Sequence, residues 1–342
     1  MFDRIETSLK SGLPFSVYRK PKESTLTGVF QKDDNLHHTT DFKEKGFVFA
    51  PFSSENGAVL IQPDELLKVD FPASGRIGTS TVSVSESGKE DHLDLVEKGI
   101  QEIKQGNLKK VVLSRKIEVE ATKSPLEVFD DLLNSYPNAF CYLFHHPKVG
   151  TWCGATPETL VKIKNGTLQT MSLAATLPFV EDEEPNWGNK EVEEQKMVSD
   201  YIQDKLGTLV ENLEIGEAKS VRAGNLWHLR SKVKGNILSS VGLAKIIDAL
   251  HPTPAVCGIP TKDAKEFILQ NENYQRTFYT GFLGEVNLQN DGETTLFVNL
   301  RCMELKSGSA SIFVGGGITE ASVPESEWLE TQNKSRTMLN IL

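Results

Sequence analysis

The feature that most narrows what this chain can fold into is a succession of strand-like segments. KVVLSRKIEVE (110–120), AFCYLFHH (139–146), TLVKIKNGTLQTMSL (159–173), TTLFVNLRCMEL (294–305) and SASIFVGGGI (309–318) are each rich in β-branched and aromatic residues. Asn165-Gly166 interrupts the third of them as a two-residue hairpin turn would, because both central positions of such a turn need the positive φ that Asn and Gly accept. FVFAPF (47–52) and AVLIQ (58–62) add two shorter runs. Helical spacing is confined to a few places. Leu93, Val96, Ile100 and Ile103 run into Gly106 as a stop, and helices fit 189–206, about 240–250, 261–270 and 324–340. Strands outnumber helices and come as hairpins. The expected class is therefore α+β, with large, mostly antiparallel sheets in a sandwich-like core flanked by helices, not a doubly wound parallel sheet. With 342 residues and 38% hydrophobic content the chain has the apolar material for such a core. There is no internal repeat, and the Ser-rich stretch TSTVSVSESGKEDH (79–92) reads as a loop or seam.

A formal net charge of -10 argues against generic nucleic-acid binding, so an anionic ligand would need a local positive site. Cys141, Cys153, Cys257 and Cys302 are too widely spaced for a metal motif or a secreted disulfide framework and read as reduced, packed thiols. No run approaches the roughly 18 apolar residues of a membrane span, and the start lacks a signal-like apolar stretch. The expectation is a cytoplasmic protein with no membrane and no nucleic-acid partner.

Near the C-terminus, Glu327 and Glu330 lie three residues apart in VPESEWLETQNK, and Glu191 and Glu194 repeat that spacing in NKEVEEQKMVSDYI. On a helix such neighbours repel by about 0.2–0.5 kcal/mol. A solvated face explains one pair, whereas two pairs could also face each other across a hard cation. Other residues have both an ordinary and a functional reading. Lys110 opens a strand, where a lysine can guard an edge. Glu158 follows a Pro in GATPETLV, as a turn carboxylate would, and His251 in LHPTPAVCGIP suits a hydrogen-bonded structural role. HLRSKV alternates like a strand, with His228, Arg230 and Lys232 as one solvated face. VGGGIT lacks the Lys-Ser/Thr of a P-loop, but its glycines permit close backbone approach to an anion.

Taken in order, KVVLSR, GATPETLV, EVEEQKMVSDYI, HLRSKVKG, LHPTPAVCGIP, FYTGFLGEV, FVNLRCMEL and VGGGITEASVPESEWLETQNK resemble the chorismate-utilising enzymes. That family includes isochorismate, salicylate, anthranilate and aminodeoxychorismate synthases. The resemblance covers roughly 92–342, while 1–90 matches weakly, and it implies one chorismate-binding enzyme domain over 1–342. It also implies a cofactor, Mg²⁺, held by Glu194 and Glu330 and reached through water by Glu191 and Glu327. Mg²⁺ takes about six oxygens and keeps several waters, which suits a few carboxylates plus a substrate carboxylate.

By the same resemblance Arg301, Tyr279, Lys334 and the backbone of Gly316 and Gly317 meet the enolpyruvyl carboxylate of chorismate. Ala175 and Thr176 match a segment lying against the ring carboxylate, with Ala175 standing where many members carry Gly. Lys110 matches the lysine that activates water, a position that resembles Gln in ammonia-using anthranilate synthases; a lysine serving as base needs desolvation or nearby positive charge. Glu158 matches the general acid that protonates the departing C4 hydroxyl and needs a raised pKa. His251 is assigned to orienting the ring.

These features favour the isochorismate-synthase branch, a Mg²⁺-dependent reversible isomerisation. Gln195, in place of a histidine that often follows the metal glutamate, agrees with that branch. The alternatives are a salicylate synthase, an anthranilate or aminodeoxychorismate synthase component, and, remotely, a non-catalytic chorismate-binding protein. No glutaminase subunit is expected, and the family resemblance suggests a monomer. Isochorismate feeds menaquinone and siderophore pathways, and no residue chooses between them.

Overall fold

The computed structural model describes residues 1–55, 57–72, 85–181, 184–223 and 226–342. Two large sheets form its frame, and every strand pairing among the described residues is antiparallel. The first has nine strands, in the order Gly258–Ile259, Lys110–Glu120, Ser309–Ile318, Cys302–Lys306, Gly150–Thr156, Phe140–His146, Phe15–Arg19, Thr25–Phe30 and Glu65–Asp70. The second runs Val210–Ile215, Leu226–Ile237, Thr167–Pro178, Thr159–Lys164, Thr294–Val298, Phe282–Val286, Gly46–Ala50, Ala58–Ile61 and His37–Thr39, with Lys219–Ala223 also pairing onto Leu226–Ile237. Seven helices complete the described residues. The α+β expectation with antiparallel sheets holds.

Strand periodicity explains how the layers join. Within Phe140–His146, Phe140, Tyr142 and Phe144 face an aromatic layer shared with Phe47, Phe49 and Phe297 of the other sheet. Phe140 and Phe297 stack across that layer with ring centroids 4.1 Å apart. The alternate residues Cys141 and Leu143 face outward, onto Ile5 of the helix Phe2–Ser11 and Phe129 and Leu132 of the helix Pro125–Ser135. Both faces are buried, so the segment reads as a continuous apolar run instead of an alternating one. On the outside of the second sheet, Val198, Ile202 and Leu206 of the helix Asn189–Leu206 pack with Ile246 and Leu250 of Leu243–Leu250.

Asn165 and Gly166 have φ of 51° and 73°, as the hairpin required. Residues 1–72 supply three strands to each sheet, so the weakly matching N-terminal part completes both layers. TTLFVNLRCMEL departs from its reading as one strand. Thr294–Val298 belongs to the second sheet and Cys302–Lys306 to the first, and the chain changes sheets at Asn299–Arg301, where Arg301 adopts φ of 48°. The helix Pro125–Ser135 was not anticipated, although Ser124 and Glu127 form a capping box with Pro125 in the first turn. Of the Ser-rich seam, 79–84 lie outside the described residues, and its last four residues, 89–92, are not loop but the first turn of the helix Lys89–Lys104. All four cysteines are buried and unbridged. No helix among the described residues is long and apolar enough to cross a membrane.

Candidate active site

A cavity opens where the strands Lys110–Glu120 and Ser309–Ile318, the strand Thr167–Pro178 and the helices Asn189–Leu206 and Pro324–Leu339 come together. Its interior has room for about 80 Å³ of water-sized space and opens to solvent at its mouth. Glu158, Ala175, Thr176, Glu194, Tyr279, Arg301, Gly316, Gly317, Glu330 and Lys334, all singled out from sequence, line it. Lys110 and Glu327 stand immediately behind that lining.

The two helices deliver the carboxylates, and Gly316–Gly317 gives them room. A Cβ on Gly317 would sit 2.6 Å from Glu194 Oε1 and 3.0 Å from Lys110 Cε. One on Gly316 would meet Glu327 Oε2 at 3.2 Å and Glu330 Oε1 at 3.4 Å. Each of the three glutamates meets a lysine: Glu194 lies 2.8 Å from Lys110, Glu327 2.8 Å from Lys190 and Glu330 2.5 Å from Lys334. Lys110 is fully buried, and its ion pair leaves Nζ without an aligned hydrogen bond. The reading of Lys110 as a strand-edge guard is thereby excluded. Burial pushes Glu194 upward, but Lys110, Lys190 and Lys334 outweigh it and hold the carboxyl below its ordinary value. Burial and the charge of Glu330 push Glu327 up despite Lys190.

Among the described residues no three His, Cys, Asp or Glu side chains stand together as a ready cation site. The donors nevertheless fit a hard divalent cation. They are all carboxylate oxygens, and Glu327 Oε2 is buried with no hydrogen-bond partner. Glu191 is not brought to this cluster: it turns back over its own helix start, with Oε2 2.8 Å from where a Cβ on Gly188 would lie. Gln195 anchors the helix beneath Glu194 by donating from Nε2 to Ser231 Oγ at 2.8 Å and to Ser199 Oγ at 3.1 Å.

Glu158 sits between the strands Gly150–Thr156 and Thr159–Lys164, 5% exposed. Burial pushes its carboxyl up to about 7 against the opposing charges of Lys110, Lys334 and Arg301. Arg301 reaches the cavity from the sheet change, donating to Thr337 Oγ1 at 3.3 Å. Lys334 donates to Gly315 O at 2.9 Å, so one helix provides Glu330 and a cation one turn on.

Ala175 and Thr176 occupy a register shift between Ala174 and Leu177, a bulge of the kind that re-aims a strand beside a site. Ala175 has φ of 60°, which explains why glycine suits the position. His228, expected on a solvated face, is buried against this bulge. Leu226–Ile237 is an interior strand, and only its later residues, such as Lys232, are exposed. His228 Nδ1 lies 2.8 Å from Ala175 O and 3.3 Å from Thr176 Oγ1. A carbonyl only accepts, so Nδ1 carries the proton and Nε2 is an acceptor, buried and unpartnered. Burial, with Arg301 nearby, lowers the pKa to about 3 and keeps the ring neutral. His251, in contrast, does not line the cavity. It caps Leu243–Leu250, with Nε2 3.3 Å from Phe52 O and its ring edge-on to Phe282. The neighbouring Ala255 and Val256 form the wall instead.

Residues 64–342 match the family model described as chorismate binding enzyme. The isochorismate synthase DhbC of Bacillus subtilis is 32% identical over 318 residues, covering 85% of this chain and 79% of that protein. The isochorismate synthase MenF of Pasteurella multocida is 31% identical over 262 residues, covering 72% of this chain and 60% of the relative. The solved structure of MenF, the menaquinone-specific isochorismate synthase of Escherichia coli, superimposes with a TM-score of 0.82 at 19% identity, covering 96% and 88% of the two chains. That likeness establishes the fold.

Proposed function

The chain belongs to the chorismate-binding enzymes, and from that premise we propose that it converts chorismate reversibly to isochorismate, water adding at C2 as the C4 hydroxyl departs. Glu158 carries this reading. A carboxyl held near 7 by burial still carries its proton in a substantial fraction of molecules at neutral pH and can give it to a leaving hydroxyl. Lys110, whose charge opposes that shift while it is paired with Glu194, would take the proton of the attacking water as the neutral amine, after a bound cation has replaced it as the counter-charge of Glu194 and its own proton has passed to solvent. One water enters and one leaves, so the reaction is an isomerisation, and the two residues reset their protons through solvent.

Substrate binding follows from charge. Chorismate carries two carboxylates, and a chain of net charge -10 must answer them locally. Arg301 offers a planar fork to the enolpyruvyl carboxylate, with Lys334 and Tyr279 beside it. Glu194 and Glu330 would hold Mg²⁺, with Glu327 acting through water, and the bound cation would supply the positive charge for the ring carboxylate; Glu191, turned back over its helix start, has no part in this arrangement. The unpartnered Nε2 of His228 accepts a hydrogen bond from the substrate, whereas His251, held against Phe52 and Phe282 outside the cavity, is given no direct role.

Chromatographic analysis of purified protein with chorismate, with and without Mg²⁺ and in parallel with ammonium, tests the proposal. Isochorismate appearing only with Mg²⁺ and approaching an equilibrium mixture is the expected result. Salicylate with pyruvate, or anthranilate in the ammonium arm, would reassign the reaction.

A further inference from the structure

A second charged group lies buried behind the cavity and takes no part in the chemistry above. Glu272 and Arg276, with side chains 1% and 2% exposed, form a two-point pair. Arg276 Nε donates to Glu272 Oε2 at 2.8 Å and Nη2 to Oε1 at 2.6 Å. The remaining donors leave the pair: Nη2 reaches Val112 O at 2.7 Å, and Nη1 reaches Val256 O at 2.9 Å and Thr280 Oγ1 at 3.3 Å. Every guanidinium N–H thus has an acceptor. Glu272 Oε1 also accepts from the backbone N–H and hydroxyl of Ser114, at 2.9 and 2.6 Å.

An apolar pair of this volume would pack as well without any desolvation cost. What it could not do is tie together three separate segments in a fixed fork geometry. Val112, Val256 and Thr280, the three acceptors outside the pair, all line the cavity. Val112 lies two residues from Lys110 and is the cross-strand partner of Gly317, the residue against which Glu194 and Lys110 pack. The guanidinium also lies over Phe52, 4.7 Å from its centroid, and 5.8 Å from that of Tyr279.

We propose that Glu272 and Arg276 are a positioning pair for the reaction assigned above, fixing the Val112, Val256 and Thr280 wall so that Lys110 and Gly317 keep their places relative to Glu158. The inference rests on that assignment for its kinetic consequence and on contacts alone for its structural one. Displacement of about an ångström in such a wall is enough to cost on the order of 100-fold in rate.

Arg276→Lys, which keeps the charge but cannot span the three segments, is the test, with Glu272→Gln alongside. Steady-state kinetics with chorismate, well below each variant's unfolding temperature, should show kcat reduced about 10- to 100-fold. KM should move less than about threefold, because Arg301 and Lys334 are untouched. Hydrogen exchange read by mass spectrometry should quicken in 110–114 and 255–259 and stay unchanged in the strands Phe140–His146 and Gly150–Thr156. Folded variants with kcat within about twofold of wild type, or exchange that quickens uniformly, would overturn the proposal. If the wild-type protein does not turn over chorismate, the assigned reaction fails, and the exchange pattern alone decides whether the pair holds this wall.

Discussion

Glu158 and the glutamates around Gly316 serve one cavity, yet burial affects them differently. Glu158 makes no ion pair among the described residues, and burial takes it up to about 7. Glu194 is mostly enclosed, its side chain 12% exposed, but Lys110 at 2.8 Å and the charges of Lys190 and Lys334 keep its carboxyl below the ordinary value. Glu327 falls between them: one oxygen meets Lys190, the other has no partner, and the charge of Glu330 pushes it up. Burial alone makes a proton donor. Burial beside a flexible lysine makes an anion whose counter-charge another cation can replace. Arg276 shows a third outcome, since a rigid fork with every donor occupied leaves nothing to exchange.

The largest effect that could break this contrast is on turnover. Glu158→Gln should lower kcat by about 10²–10⁴-fold, the usual worth of a positioned acid, while chorismate still binds in calorimetry. Wild-type kcat should fall as pH rises through about 7, when Glu158 loses its proton. A variant keeping a tenth of wild-type activity would remove Glu158 from the mechanism. Next in size, Glu327→Gln should raise the Mg²⁺ concentration for half-maximal activity by about 10–100-fold, as loss of an outer partner does. An unchanged Mg²⁺ requirement would separate Glu327 from the cation.

The same contrast predicts a stability effect. The folded pKa of Glu158, about 7, exceeds the unfolded value of about 4.3, so the folded state holds the proton more tightly. Its stabilising contribution is complete below about 4.3 and is lost as pH rises through about 7. Above that pH the Glu158→Gln protein should be the more stable, by on the order of 3 kcal/mol in denaturant titrations. Equal stability at pH 8 would mean that the buried carboxyl is solvated. Smallest is Ala175→Gly. Relief of the left-handed backbone, about 1 kcal/mol, is largely offset by the freer unfolded chain, leaving a gain of a few tenths of a kcal/mol by thermal melting. A clear loss of stability would mean that the methyl group packs usefully.

The residues legible in the sequence were those whose pattern is local. Spacing on one helix places Glu330 and Lys334 together, and Asn165-Gly166 specifies its own turn. Glu158 could be marked by family resemblance, but its burial depends on strands brought together by the fold. Arg301 lies inside an apolar run whose break between sheets, at Asn299–Arg301, is marked by a single turn-favouring residue, Asn299, with no Gly or Pro beside it. Alternation assigns His228 to a face without saying that the Ala175 bulge covers it, so its burial is not legible in the sequence. Glu272 and Arg276 carry no mark in the sequence, because the outside acceptors, Val112, Val256 and Thr280, come from three separate segments and two are backbone carbonyls that any residue could supply.

Water attack at C2 is the central claim, and isotope incorporation tests it most directly. Chorismate is incubated with the protein and Mg²⁺ in ¹⁸O-labelled water, and the product's mass is read early in the reaction. Isochorismate carrying one ¹⁸O at its C2 hydroxyl is the predicted result. Unlabelled isochorismate would mean that the hydroxyl migrates without water, and the roles assigned to Lys110 and Glu158 would fall together.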